Sequence, residues 1–165
     1  MSFPRETART LHAEHQEHLA LLGRVEAALA RLPRGDARRQ PELQRLLAAL
    51  AHELQVQTPR HFDFEEQQLF TRMTGSGDGP IAALLTEEHA AMRDVAAELA
   101  PLLGAARQGT LAADDDWLQL QQCALELVER QVSHIQKEEM ALLPMLEELL
   151  DEDTDRQLAM DYAAL

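Results

Sequence analysis

The residues with chemical reach in this chain are histidines and glutamates, and they recur in a pattern. His61 and Glu65 stand four apart in His-Phe-Asp-Phe-Glu-Glu, and His134 and Glu138 stand four apart in His-Ile-Gln-Lys-Glu-Glu. Four residues are one helical turn and about 40° of rotation, so each such pair projects from one face. Two more histidines directly follow a glutamate, in Glu14-His15 and Glu88-His89. His15 is matched 74 residues on by His89, and His61 is matched 73 residues on by His134.

A lone His followed by His-x-x-x-Glu, twice over, reads as a duplicated two-helix hairpin. Folded antiparallel, the copies would gather four imidazoles and two carboxylates inside one bundle. Burying a polar group without a partner costs about 1–3 kcal/mol, and more if it is charged. Two interior carboxylates therefore call for positive charge, which one or two divalent or trivalent cations would supply. Nitrogen and oxygen donors without sulfur suit iron, manganese or zinc.

Helices are the elements able to position these groups. Leu11, His15, His18, Leu22, Val25, Leu29 and Leu32 recur at steps of four and three, which predicts a helix over residues 5–32 ended by Pro33 and Gly35. A second over 41–73 starts at Pro41, carries Leu43, Leu47, Leu50, Leu54, His61 and Glu65 inward, and should be kinked or split by Pro59. A third over 80–107 buries Ile81, Leu85, His89, Met92, Ala96, Leu99 and Leu103, with Pro101 expected to bend its last turn. A fourth over 114–149 opens on Asp114-Asp115-Asp116 and buries Leu120, Cys123, Leu127, His134, Glu138, Ala141 and Met145, with Pro144 a further kink point. Residues 151–165 either add a short acidic helix or fray. The expected fold is all-α, an up-down-up-down four-helix bundle. One domain is expected over residues 1–165, with its core at about 8–149 and an acidic tail at 150–165.

Composition agrees and excludes other classes. With 165 residues, 45% hydrophobic, the chain can bury a core, while 4% aromatic content and 7 glycines argue against an all-β fold. A net charge of −14 makes nucleic acid or an anionic membrane an unsuitable partner. The cluster Arg31, Arg34, Arg38 and Arg39 falls in an expected loop. The single Cys123 excludes an internal disulfide and is read as core filler. Apolar runs are too short to cross a bilayer and no secretory segment is seen, so the expected location is the cytoplasm. Phosphate-cradling and nucleophile-elbow motifs are absent.

On these motifs the sequence resembles the hemerythrin-like, HHE cation-binding family over about residues 8–149. That resemblance implies a four-helix bundle holding two iron ions with a bridging oxo or hydroxo group. It assigns His15, His61, Glu65, His89, His134 and Glu138 as ligands, with Glu65 and Glu138 bridging, His15 paired with His61, and His89 with His134. Oxygen carriers of the family place a second histidine four residues after the first on the third helix, where this chain has Arg93. They also place Asp five residues after the fourth-helix histidine, where this chain has Glu138 four after. The pattern is closer to the branch of iron-sensing domains and of proteins that repair iron centres under oxidative or nitrosative stress. The implied ligand count leaves each metal one open position, so both would be accessible to dioxygen, nitric oxide or peroxide. Alternatives are a redox-inert cation-binding or storage module, holding iron, zinc or manganese, and a metal-free bundle.

The remaining polar residues carry blander expectations. His18 shares the first stripe and is expected at the rim with an ordinary hydrogen-bond partner, the alternatives being support of a ligand or service as a ligand itself. His12 and His52 are expected to face solvent. Glu66 and Glu139 are assigned to salt bridges between helices, with a reserve ligand role as the alternative, and Arg93 to a surface acid. Gln131, one turn before His134, is a candidate to hydrogen-bond the site. Trp117 and Tyr162 are assigned to packing, with Tyr162 a candidate cap for one end of the bundle.

Overall fold

The computed structural model describes residues 2–165 and is all-helical. Helix α1 spans Glu6–Leu29. Helix α2 covers residues 41–76 without a break, although two of its turns, Glu53–Gln57 and Glu65–Phe70, widen into π-helix. Helix α3 spans Gly79–Gln108. Helix α4 covers residues 114–149 and widens once, at Glu138–Leu142. Helix α5 spans Glu152–Ala163. A 3-10 turn at Gly35–Arg39 carries Arg38 and Arg39 of the basic cluster, and Arg38 pairs with Asp114 together with Arg34 just before the turn.

The ends follow local chemistry. Helix α1 stops three residues short of the expected Leu32, because the residue before Pro33 is pushed out of the helical region. Gly77 and Gly109, with φ of 102° and 75°, close α2 and α3 in the left-handed conformation that a Cβ disfavours. Neither Pro59 nor Pro144 splits its helix, and each helix runs on through its proline. Just before each, the N–H of Thr58 bonds the carbonyl of Glu53, and that of Leu143 bonds Glu138, each five residues back. The widened turn takes up the backbone clash a proline creates. Pro101 sits inside α3, which continues past it to Gln108.

The π-turn in α4 also corrects the expected inner face. One extra residue in a turn advances the stripe by one position. After Glu138 the buried residues are Leu142, Leu143 and Leu146, not the expected Ala141 and Met145. Before that turn the expected stripe is buried, from Leu120 through His134.

Helices α1 and α3 each pack on both α2 and α4. The core divides into two apolar clusters. One holds Leu22, Val25, Leu50, Leu99, Trp117 and Leu120, and the other holds Leu11, Met73, Leu85, Leu142 and Leu146. Each of the four long helices passes from one cluster to the other, and at the crossing it carries a histidine. Helix α5 is ordered against α1, as its alternative to fraying. Asp155 accepts the N–H groups of Glu6 and Thr7 at 2.7 and 2.9 Å, capping α1, whose own Arg5 offers no side-chain cap. Leu158 and Tyr162 are buried beneath it.

Candidate metal centre

Between the two apolar clusters lie His15, His61, Glu65, His89, His134 and Glu138, all buried, with Glu65 0% and Glu138 1% exposed. The helical spacing sets the local pairs: His61 Nε2 is 3.0 Å from Glu65 Oε1, and His134 Nε2 is 2.6 Å from Glu138 Oε1. Packing supplies the rest. His15 Nε2 lies 3.0 Å from Glu138 Oε2, and His89 Nε2 lies 3.3 Å from Glu65 Oε2 and 2.9 Å from His134 Nε2. Two groups result, His15 with His61 and His89 with His134, each sharing Glu65 and Glu138. Within each group the donor atoms all lie within 4.8 Å of one another.

All four rings are oriented alike. Nε2 faces the interior carboxylates, while Nδ1 faces a second carboxylate outside. His15 Nδ1 meets Glu139 at 2.7 Å, His61 meets Glu14 at 2.9 Å, His89 meets Glu66 at 2.8 Å and His134 meets Glu88 at 2.7 Å. Such an outer acceptor holds a proton on Nδ1 and leaves Nε2 as the donor atom for a cation. The cationic side chains stop at this outer ring. Arg60 pairs with Glu14, Arg93 with Glu66 and Asp63, and Lys137 with Glu88.

The interior is thus short of positive charge. His15 Nε2, both oxygens of Glu65 and Oε1 of Glu138 are buried without a hydrogen-bond partner. Buried carboxylates left this way are costly, by several kcal/mol each. Without a cation, protons on the imidazoles are the remaining source of charge. Burial opposes an imidazolium at His15, but the carboxylates of Glu138 and Glu139 beside its two nitrogens outweigh it and raise the pKa to about 9. His89 is likewise disfavoured by burial, yet raised to about 9 by Glu138 and Glu65. His61 is raised well above its ordinary value by Glu65 and Glu14 against the same burial. Glu138 is held well below the carboxylate range, burial being outweighed by His134, His15 and His89. The donor set and its unpaired interior atoms fit a metal cation.

Other residues depart from expectation. His12 is only about a third exposed and bonds Glu139 at 2.8 Å, so it is not a free surface group. Glu66 forms its interhelical bridge to Arg93 and also holds His89, whereas the partners of Glu139 are His12 and His15. His18 stands outside both groups, bonded through Nδ1 to Glu53 and through Nε2 to Gln131. His52 is exposed, and Cys123 and Trp117 are buried. Tyr162 donates to Glu14 and stacks under Arg60, so α5 braces the carboxylate behind His61. The sequence reading missed Glu14 and Glu88 as partners of histidines. The available signal was adjacency, since each of the four outer carboxylates is the immediate neighbour of an inner residue.

A family model described as the hemerythrin HHE cation-binding domain matches residues 7–155. Among curated proteins no match is found.

Proposed function

Because this chain belongs to the hemerythrin HHE cation-binding family, we propose that it is a non-haem di-iron protein that binds or reacts with dioxygen, nitric oxide or peroxide, or senses or repairs iron. The four long rods are read as an up-down-up-down bundle, which suits their ring of contacts and duplicated sequence. One observation carries the proposal. Two donor groups share both carboxylates, and their interior atoms include four without a hydrogen-bond partner. One cation in each group would be held by two imidazoles, with Glu65 and Glu138 available to both. Iron so held supplies a change of oxidation state and open positions for a small ligand.

The chain's own residues do the rest. Glu14, Glu66, Glu88 and Glu139 fix the tautomer and tilt of the imidazoles and make them stronger donors. Despite burial, Glu14, Glu66 and Glu88 all lie below their ordinary pKa, Glu14 held there by His61 and Tyr162 and then by Arg60, Glu66 chiefly by Arg93 and Glu88 chiefly by Lys137. Phe62 lies flat on His89, with ring centres 3.7 Å apart, and Phe70 approaches from 5.4 Å. These rings exclude water from that flank and lower its polarity. Among the described residues no helix is long and apolar enough to cross a membrane.

Metal analysis of protein purified without chelator is the test. Two irons per chain, with an absorption band that changes on adding oxygen, peroxide or nitric oxide, is the expected result. Glu65→Ala and Glu138→Ala should empty the site while His18→Ala retains it. One redox-inert metal would favour a cation-storage module, and a melting temperature unmoved by iron would favour a metal-free bundle.

A further inference from the structure

Helix α5 runs parallel to the start of α1 and in register with it. Asp155 accepts the N–H of Thr7 at 2.9 Å and Tyr162 donates to Glu14 at 2.5 Å, an offset of 148 residues in both cases. On each helix the two contacts are about two turns apart, so both fall on one face. Between them Leu11 and Leu158 are buried in the same apolar cluster. Most of α5, Tyr162 included, lies beyond residue 155, where the hemerythrin match ends.

Three of the four outer carboxylates are held by the long helices. Glu66 is bonded from α3 by His89 and Arg93, Glu88 from α4 by His134 and Lys137, and Glu139 from α1 by His12 and His15. Among the described residues Glu14 is the one that also takes a bond from α5. Its Oε2 meets Tyr162 at 2.5 Å and His61 Nδ1 at 2.9 Å, while its Oε1 accepts from Arg60. The Tyr162 ring is 2% exposed, with the Arg60 guanidinium 4.4 Å above its centre and the Phe64 ring centre 4.4 Å away. A glutamate side chain turns about three bonds, so it fixes an imidazole only as firmly as it is itself fixed. The boxed-in phenol supplies that fixture for Glu14.

Resting on the di-iron reading above, we propose that Tyr162 is a positioning residue for the cation held by His15 and His61, which makes α5 a fifth element of the metal centre. The hydroxyl pins Glu14, and Glu14 pins the ring whose Nε2 faces the cation. His89 and His134 have no link of this kind, so the two cations depend unequally on α5. The dependence is reciprocal. Whatever factor the docked α5 adds to the affinity for that cation, the bound cation adds to the docking of α5.

The experiment is a competitive chelator titration of the iron-loaded full chain, unmodified and as Tyr162→Phe, which keeps the buried ring and removes only the hydroxyl. The variant should hold one iron roughly tenfold more weakly, the low end of the range for a group supporting a ligand from outside, and the other iron at the unmodified affinity. In a Glu14→Ala background the same substitution should add nothing, because the hydroxyl acts through that carboxylate. A hydroxyl that merely supports the fold would weaken both irons, whatever residue stands at position 14. Equal weakening of both, no weakening, or the same loss in the Glu14→Ala background overturns the proposal. Should Tyr162→Phe not fold, the unmodified chain decides: amide hydrogen exchange over residues 158–163 should slow roughly tenfold on loading with iron, and exchange there that iron leaves unchanged overturns the proposal. An unmodified chain that fails to hold two irons instead defeats the di-iron reading itself, so the two failures are distinguishable.

Discussion

Removing the metal should make the stability of this protein fall with rising pH across the neutral range, and loading it should abolish that fall. In the metal-free chain His15 and His89 both have pKa values of about 9, because interior and outer carboxylates outweigh their burial. A group whose folded pKa exceeds its unfolded value contributes stability that is complete below the unfolded pKa, near 6.5, and is lost as pH rises through 9. At 1.36 kcal/mol per pKa unit, each imidazole contributes on the order of 3 kcal/mol. For a chain of this size the two together, about 6 kcal/mol, correspond to roughly 12–24 °C in melting temperature between pH 6.5 and 9.5. With metal bound the imidazoles are neutral ligands on both sides of that window, so the slope should vanish. Uptake at pH 7.5 should also release about two to three protons, from His15, His89 and His61. Differential scanning calorimetry of both forms, with titration calorimetry in buffers of different ionisation heat, reads both quantities. A metal-free protein whose melting temperature is flat or rises from pH 6.5 to 9.5, or metal uptake without proton release, would refute the charge balance argued here.

Three further outcomes test other links in the structure. Glu139→Gln keeps a hydrogen-bond acceptor for His15 but removes its charge, and should weaken metal about 10- to 100-fold by competitive chelator titration. Leu142→Ala should cost about 2–5 kcal/mol in urea unfolding, whereas Met145→Ala, half-buried one register position away, should cost clearly less. Equal costs would show that the π-turn at Glu138–Leu142 does not shift the stripe. Asp155→Ala should cost about 1–2 kcal/mol by the same measurement, since the first turn of α1 has no side-chain cap of its own.

Much of the architecture was legible because helical periodicity is a local property. The stripes from Leu11 to Leu29 and from Leu120 to His134 are written at the spacing of one turn, and their burial follows. The turns at Gly77 and Gly109 are equally local, since only the backbone conformation at those positions decides them. The alternative of a split at Pro59 fails, because the helix runs through it. A proline announces a clash, but whether a helix breaks or widens depends on what packs around it. Ala141 and Met145 were misassigned for the same reason, because periodicity assumes 3.6 residues in every turn.

The sequence by itself determined which residues could hold a cation. His-x-x-x-Glu places two donors on one face whatever the helix packs against, and its repetition after 73 residues supplies a matching pair. The tertiary structure alone decided what surrounds those donors. Glu14 serves His61 across the bundle and not its neighbour His15, and Glu139 serves His15 and not His134. Phe62, given no role by the sequence, seals one flank of the centre because α3 brings His89 onto its face. Spacing along one helix is set by backbone hydrogen bonds and can be counted. A partner across the bundle depends on the rotation and stagger of two helices, which the whole core fixes together.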